Sequence, residues 1–291
     1  MDMLRARIFL EAISSGSLSQ AARHYGYTPS GVSHMMDALE SEVGFSLLIR
    51  TRKGVAPTPN AERLIPLMRD ACNKDEQLSQ AISEVRGLAT GTLRIAAYAS
   101  MASRWLPKVI ASFHRDYPQI RIDLFEGVWQ EVASYLSNQK ADIGFYSYFP
   151  TIPYRWVFLK KDPMVVAVPP NHRLAERSFV RLEELVDERL IFPAYGSDVD
   201  VLHLIEGTDI KADYQISTLY NYSAFSMVEE GLGIVITNRL ITEGLATRIK
   251  LLPFDPPRSI DLGVAIPEES ERTPAVRRFV EHASKIVPEL P

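Results

Sequence analysis

The chain has 291 residues, 46% of them hydrophobic and 23% charged, with a formal net charge of −4. That length supports two or three domains with a sizeable core, and the composition is ordinary for a globular protein. A single cysteine, Cys72, excludes an internal disulfide, no apolar run is long enough to span a bilayer, and the charge argues against indiscriminate coating of nucleic acid.

In chain order, the first twenty residues turn polar after Ile13 and lack the continuous apolar region and cleavage site of a secretory leader, so a cytoplasmic location and no membrane partner are expected. Leu4, Ile8, Ala12 and Ile13 mark a first helix that Gly16 stops. In 17-SLSQ-20, Ser17 and Gln20 have capping-box spacing and open a second helix, whose Ala21 and Ala22 admit close packing. Gly26 ends that helix. Thr28 is suited to cap a third, with Pro29 at the first helical position, where a missing N–H does no harm. Two short helices joined by 26-GYT-28 make a helix-turn-helix. The third helix has two faces. Val32, Met35, Met36, Leu39 and Val43 share one apolar arc, and Ser30, Ser33, His34 and Asp37 share the opposite side. The polar side lacks the long Lys and Glu side chains of most solvated helices, which suits it to close approach by another surface.

Next, 45-FSLLIRTRKGVAPTP-59 reads as a β-hairpin, or wing, carrying Arg50, Arg52 and Lys53. From Asn60 to Leu88 a helical stripe follows: Leu64, Leu67, Met68, Ala71, Leu78, Ala81, Ile82, Val85 and Leu88. Pro66 within it predicts a bend or a helix start nearby. Such a helix, roughly 40 Å long at ~1.5 Å per residue, cannot bury its stripe alone, and pairing with a second copy is the simplest solution. Cys72 falls in this helix as small apolar packing. The segment 87-GLATG-91 reads as a linker.

Beyond it the order is strand 92–99, helix 105–118, strand 120–127, helix 129–139 and strand 141–148, a βαβαβ pattern that predicts a parallel sheet. Residues 156–170 read as a crossing pair of strands, 181–187 as a helix, 190–194 and 214–218 as strands, and 222–231 as a helix. Strands at 233–241, 249–254 and 259–267 precede a last helix at 273–287.

With these pieces in place the chain resembles the LysR-type bacterial transcriptional regulators over its whole length. 9-FLEAISSGSLSQAARHYGYTPSGVSHMMDALESEVG-44 is similar to that family's helix-turn-helix, and 47-LLIRTRKGVAPTPNAERL-64 to its wing and linker helix. Further on, 93-LRIAAYAS-100, 113-FHRDYP-118, 142-DIGF-145 and 228-VEEGLGIVI-236 recur in order. The resemblance implies an α/β protein with an N-terminal all-α winged helix-turn-helix (1–58), a dimerising linker helix (59–88) and a two-lobed, periplasmic-binding-protein-like α/β effector domain (91–291). Its lobes would be 91–161 with 267–291, and 162–266. It implies a sequence-specific regulator controlled by a small molecule bound between the lobes, with operator DNA, a homodimer or homotetramer and RNA polymerase as partners. Departures bear on the operator: Pro29-Ser30 replaces a usual Gln-Pro, His34 a frequent Arg, and Asn60-Ala61 a usual Ala-Gly.

For DNA contact the reading assigns Ser33 and His34 to base edges, with Ser30 beside them. Thr28 and the helix start suit a phosphate, and Arg50, Arg52 and Lys53 suit backbone or minor-groove contact. Asp37 serves the fold or a salt bridge in preference to a cytosine amine. The positions that the resemblance assigns to the effector are Ser100, Met101, Val128, Tyr146, Ser147, Tyr195, Ser197 and Thr218. Some relatives hold carboxylates with an arginine at the position of Ser147 and a hydroxyl at that of Val128. Both are lost here, which implies a less anionic or more aromatic ligand, with Arg104 as a compensating cation. Asp198, Asp200 and His203 have a spacing that suggests metal, but acidic residues at a helix start explain them better. No His-Glu-x-x-His, Gly-x-Ser-x-Gly or Gly-x-x-x-x-Gly-Lys motif occurs, so no catalytic, metal or cofactor site is expected. The competing class is a small-molecule binding protein or enzyme of the same α/β fold, which would leave residues 1–88 without a role.

Overall fold

Asp2 opens the first helix: its carboxylate accepts the Leu4 N–H at 2.9 Å, and α1 (Met3–Ser15) follows. Ser17 accepts the Gln20 N–H and caps α2 (Leu18–Tyr25), and Thr28 caps α3 (Pro29–Val43). The hairpin of β1 (Leu48–Thr51) and β2 (Gly54–Pro57) pairs antiparallel, and Thr58 caps α4 (Pro59–Val85) by accepting the Ala61 N–H. The computed structural model describes every residue except Lys53, Gly87, Leu88, residues 212–215, Ala246, Arg272 and Pro291, and the side chain of Glu84. The basic tip of the expected wing, the start of the expected linker and the first two residues of the expected strand at 214–218 therefore lie outside the described residues.

The chain divides into two units, Met1–Gly91 and Thr92–Pro291. In the first, Ile8, Phe9, Ala12, Ala21, Ala22, Val32, Met36 and Leu39 form one core, which Leu47, Leu48 and Met68 join. Each large side chain buried there contributes roughly 1.5–3 kcal/mol. Ala21 and Ala22 are fully buried, as their small size requires where helices touch. Helix α4 runs on through Pro66, whose missing N–H leaves the Glu62 carbonyl without its usual helical donor. Its apolar stripe divides: Met68 and Cys72 are buried, but Leu67, Leu78, Ile82 and Val85 stand exposed.

The second unit begins β3 (Gly91–Ala97), α5 (Ala99–Arg104), α6 (Leu106–Asp116), β4 (Ile120–Glu126), α7 (Trp129–Ser137) and β5 (Ile143–Ser147). This matches the expected βαβαβ order, except that a separate short helix, α5, precedes α6. The strands lie in the order β5-β3-β4, with β3 and β5 parallel. β6 (Arg155–Val168) is one long strand where a pair was expected. Then come β7 (Ile191–Phe192), α8 (Val199–Ile205), β8 (Ile216–Ser217), α9 (Asn221–Glu229), β9 (Val235–Asn238), α10 (Arg239–Thr242), β10 (Lys250–Pro253), β11 (Ser259–Ile266), α11 (Glu268–Glu271) and α12 (Pro274–Ile286). Residues 181–187 make only a short 3-10 turn at Leu182–Leu185 in place of the expected helix.

β6 carries the chain from one lobe to the other. Its first part pairs with β11, and its last residues pair with β9 and β10. The return crossing falls inside β11, where Leu262–Ala265 already pair with β5, a few residues before the 266/267 division that the resemblance implied. One lobe packs Ala96, Val132, Leu136, Tyr146 and Ala265 together, and the other packs Val166, Val168, Phe192, Ile234 and Leu252.

Candidate functional site

Two surfaces carry the chemistry, one in each unit. In the first, Gly26 ends α2 at φ 72°, a left-handed conformation that glycine adopts at little cost, and turns the chain toward α3. The Thr28 hydroxyl accepts the Gly31 N–H at 3.1 Å and lies 3.2 Å from the Ser30 hydroxyl. Val32, Met36 and Leu39 are fully buried, which turns the other face outward: Thr28, Ser30, His34 and Asp37 are exposed and Ser33 is half-buried.

The wing is tied to this helix. Glu40 accepts the N–H groups of Leu47 and Leu48 at 2.6 and 2.9 Å. Arg50 lies back across α3: one guanidinium nitrogen is 2.6 Å from the Asp37 carboxylate, and another donates to the Ser33 hydroxyl at 2.9 Å. Asp37 is thus in a salt bridge, and Arg50 ties α3 to the wing. Arg52 is exposed. Lys53 lies outside the described residues.

In the second unit a cavity of about 430 Å³ opens between the lobes, within the usual range of small-molecule sites. From the first lobe come Tyr98 and Ser100 at the end of β3, and Glu126, Val128, Trp129 and Glu131 around the start of α7. The second lobe supplies Met164, Asp198, Asp200, Tyr220, Tyr222, Asn238 and their neighbours. Of the expected effector residues, Ser100 and Val128 line it. Met101, Tyr146 and Ser147 are buried beneath it, because strand and helix periodicity turns them into the core. Tyr195 (φ 50°) points largely to solvent. Ser197 folds its hydroxyl back onto the Ala194 carbonyl, and Thr218 pairs its backbone with Phe192, so neither reaches the cavity. Nor does Arg104, whose buried Nε has no hydrogen-bond partner among the described residues.

Tyr98 and Gln130, which sequence reasoning missed, join residues it had named in a network across the cleft. Tyr98 donates to Asp200 at 3.1 Å and sits 2.9 Å from the Ser147 hydroxyl, and Gln130 donates to the Ser197 carbonyl at 2.9 Å. Asp198 caps α8, accepting the N–H groups of Asp200 and Val201. Burial raises the Asp198 carboxyl above its ordinary range, against the pull of those two donors. Burial, then the charge of Asp198, pushes Asp200 up to about 7. Behind Asn238, burial raises Asp162 to about 6, although it accepts from Asn238 and the Leu240 N–H. Among the described residues none of these three carboxylates has a cationic partner. Asp198 and Asp200 therefore belong to the cavity as well as to a helix start, and no group of three metal-capable side chains occurs among the described residues.

Comparison with known proteins gives both surfaces a family. Residues 4–62 match the bacterial regulatory helix-turn-helix protein of the lysR family, and residues 86–286 match the LysR substrate binding domain. An uncharacterized HTH-type transcriptional regulator of Bacillus subtilis, YvbU, is 28% identical over 98% of this chain and 99% of its own. A full-length OxyR variant from Pseudomonas aeruginosa superposes with a TM-score of 0.72 at 17% identity, covering 100% of this chain and 99% of that one. The LysR family regulator CbnR, solved with its target DNA, gives 0.67 at 18% identity over 98% and 99%. The chain belongs to the LysR family: it is a transcriptional regulator, not an enzyme, with a helix-turn-helix DNA-binding domain and a two-lobed effector-binding domain.

Proposed function

We propose that α3 reads the operator through Ser33 and His34 in the major groove, with Ser30 beside them and Thr28 at a phosphate. The observation that carries this is the burial of Val32, Met36 and Leu39, which leaves a short polar face outward. Ser33 accepts from Arg50 and keeps its own O–H for a base edge. Arg52 and Lys53 contact the DNA backbone or minor groove, and Arg50 positions the helix. CbnR has been solved on its target DNA, a mode of use that this reading extends to the present chain.

The cavity between the lobes holds the effector, against Ser100, Val128 and the residues around them. The exposed stripe Leu67, Leu78, Ile82 and Val85 on α4 pairs with a second copy, giving a homodimer or homotetramer in the cytoplasm. The effector changes lobe closure, and the linker helices pass this on to DNA-bound dimers and to RNA polymerase. The test is footprinting of the full chain on the DNA beside its own gene. A protected inverted repeat supports the reading, and uniform, sequence-blind protection overturns it.

A further inference from the structure

The cavity between the lobes has a one-sided electrostatic make-up. Glu126, Glu131, Asp198 and Asp200 line it, and among the described residues that line it there is no Arg, Lys or His. Aromatic rings complete the wall: Tyr98, Trp129, Tyr220 and Tyr222. From this lining we propose that the effector binds through an ammonium group, held by Asp200 and Asp198 and faced by the aromatic rings. The proposal rests on the cavity being the effector site and names the chemistry that site selects.

Three physical arguments support it. First, carboxylates gathered in a partly buried site repel one another and lose hydration, and a bound cation relieves both effects. Asp198 and Asp200 line the cavity together and have no cationic partner among the described residues, and burial raises both carboxyls. Second, tyrosine and tryptophan faces attract cations, and more strongly where water is excluded. Third, the helix starts that elsewhere favour anions are already occupied at two points. Glu131 accepts the Val128 N–H at the start of α7, and Asp198 accepts two N–H groups at the start of α8. A carboxylate ligand would meet those side chains and be repelled. The ion is organic, because no three metal-capable side chains converge among the described residues and the volume far exceeds that of a bare cation.

An ammonium group is carried by free amines and by amino acids. Tyr220 provides no side-chain cap at the start of α9, and comparing each amine with its amino acid tests whether a second, anionic group is tolerated there.

The experiment is calorimetric titration of the full-length protein with matched probes. Phenethylamine, phenylalanine and hydrocinnamate form one series; isoamylamine, leucine and isocaproate form another; cadaverine and choline are added. At least one ammonium compound is expected to bind at millimolar concentration or below, with the matched carboxylate at least about tenfold weaker. Asp200→Asn, close in shape to the native residue, should weaken that binding by about tenfold or more. Glu126→Gln, at the exposed rim and without consequence for the core, should weaken it less. Amines binding more tightly than their amino acids identify a free amine, and the reverse order identifies an amino acid. Equal or tighter binding of hydrocinnamate or isocaproate overturns the proposal, as does tightening by Asp200→Asn or silence from every ammonium probe. Operator binding by the same preparations is measured in parallel. If it persists while the ammonium probes fail, only the charge assignment falls; if it is absent, the regulator reading falls with it.

Discussion

His34 is fully presented by α3, whereas Ser33 is shared with Arg50. Ser33→Ala or His34→Ala should therefore lose discrimination between operator and random DNA by about 1–3 kcal/mol, the worth of a good base contact. Arg52→Ala should weaken both DNAs alike and lower the salt slope by about one. Competition binding separates the two outcomes, and unchanged sequence preference in all three variants would defeat the assignment. The Arg50–Asp37 pair is largely in solvent, its side chains 39% and 55% exposed, so Arg50→Ala should lower stability by less than about 1 kcal/mol. At Asp200 the sign follows from a folded carboxyl at about 7 against an ordinary 3.8. The folded state holds the proton longer, so this group's contribution is present below the ordinary value and lost as pH rises through about 7. Asp200→Asn should leave Tm unchanged in acid and raise it above that range, roughly 2–4 °C for each kcal/mol. After burial, the charges of Asp198 and Asp162 raise the Asp200 carboxyl and the hydrogen bonds from Ser147 and Tyr98 lower it, while Glu126, Glu131 and Asp198 line the same cavity. Ser100 and Val128 were legible through the family pattern. The hydrogen bond that ties Asp200 to Tyr98 was not, because the two lie 102 positions apart in sequence.

At the scale of elements, the helix ends were the most legible features. Ser17, Thr28 and the glycines at 16 and 26 act within a few residues of themselves, so spacing alone locates them. The packing of the wing was not legible. Gly54 (φ 133°) carries a space that a Cβ would fill at 2.3 Å from the Gly16 carbonyl oxygen, which accepts the Val55 N–H. Gly54→Ala should cost about 1–3 kcal/mol through backbone strain and this clash, measurable as a lower Tm together with weaker DNA binding. Helix α4 was legible by its stripe, but its partner was not, since a single sequence does not say what covers an apolar face. Leu78→Glu with Ile82→Glu should yield a folded monomer by sedimentation. A dimer that survives both changes would place the subunit contact elsewhere.

For the whole molecule, the net charge of −4 hides an uneven distribution. Residues 1–58 hold six Lys and Arg against five Asp and Glu, leaving the remainder distinctly acidic. Arg5, Arg7 and Arg50 are engaged with carboxylates, and the proposed DNA contact assigns Arg23, Arg52 and Lys53 to phosphates. Two copies should then give a slope of log affinity against log salt of about −5, and a slope near zero would contradict backbone contact by these residues. The α/β lobes were legible from alternating strands and helices, but the exchange of strands between them was not. It depends on β6 continuing for 14 residues, with Leu159 as the extra residue of an irregular register opposite Leu262 and Gly263. That shared ladder has a mechanical consequence. Because both connections are neighbouring strands of one sheet, the halves share a spine, and their relative movement is absorbed as a change of pitch along it. A guest too broad for the cleft should therefore bind more weakly than a slim homologue, because admitting it requires that pitch to change.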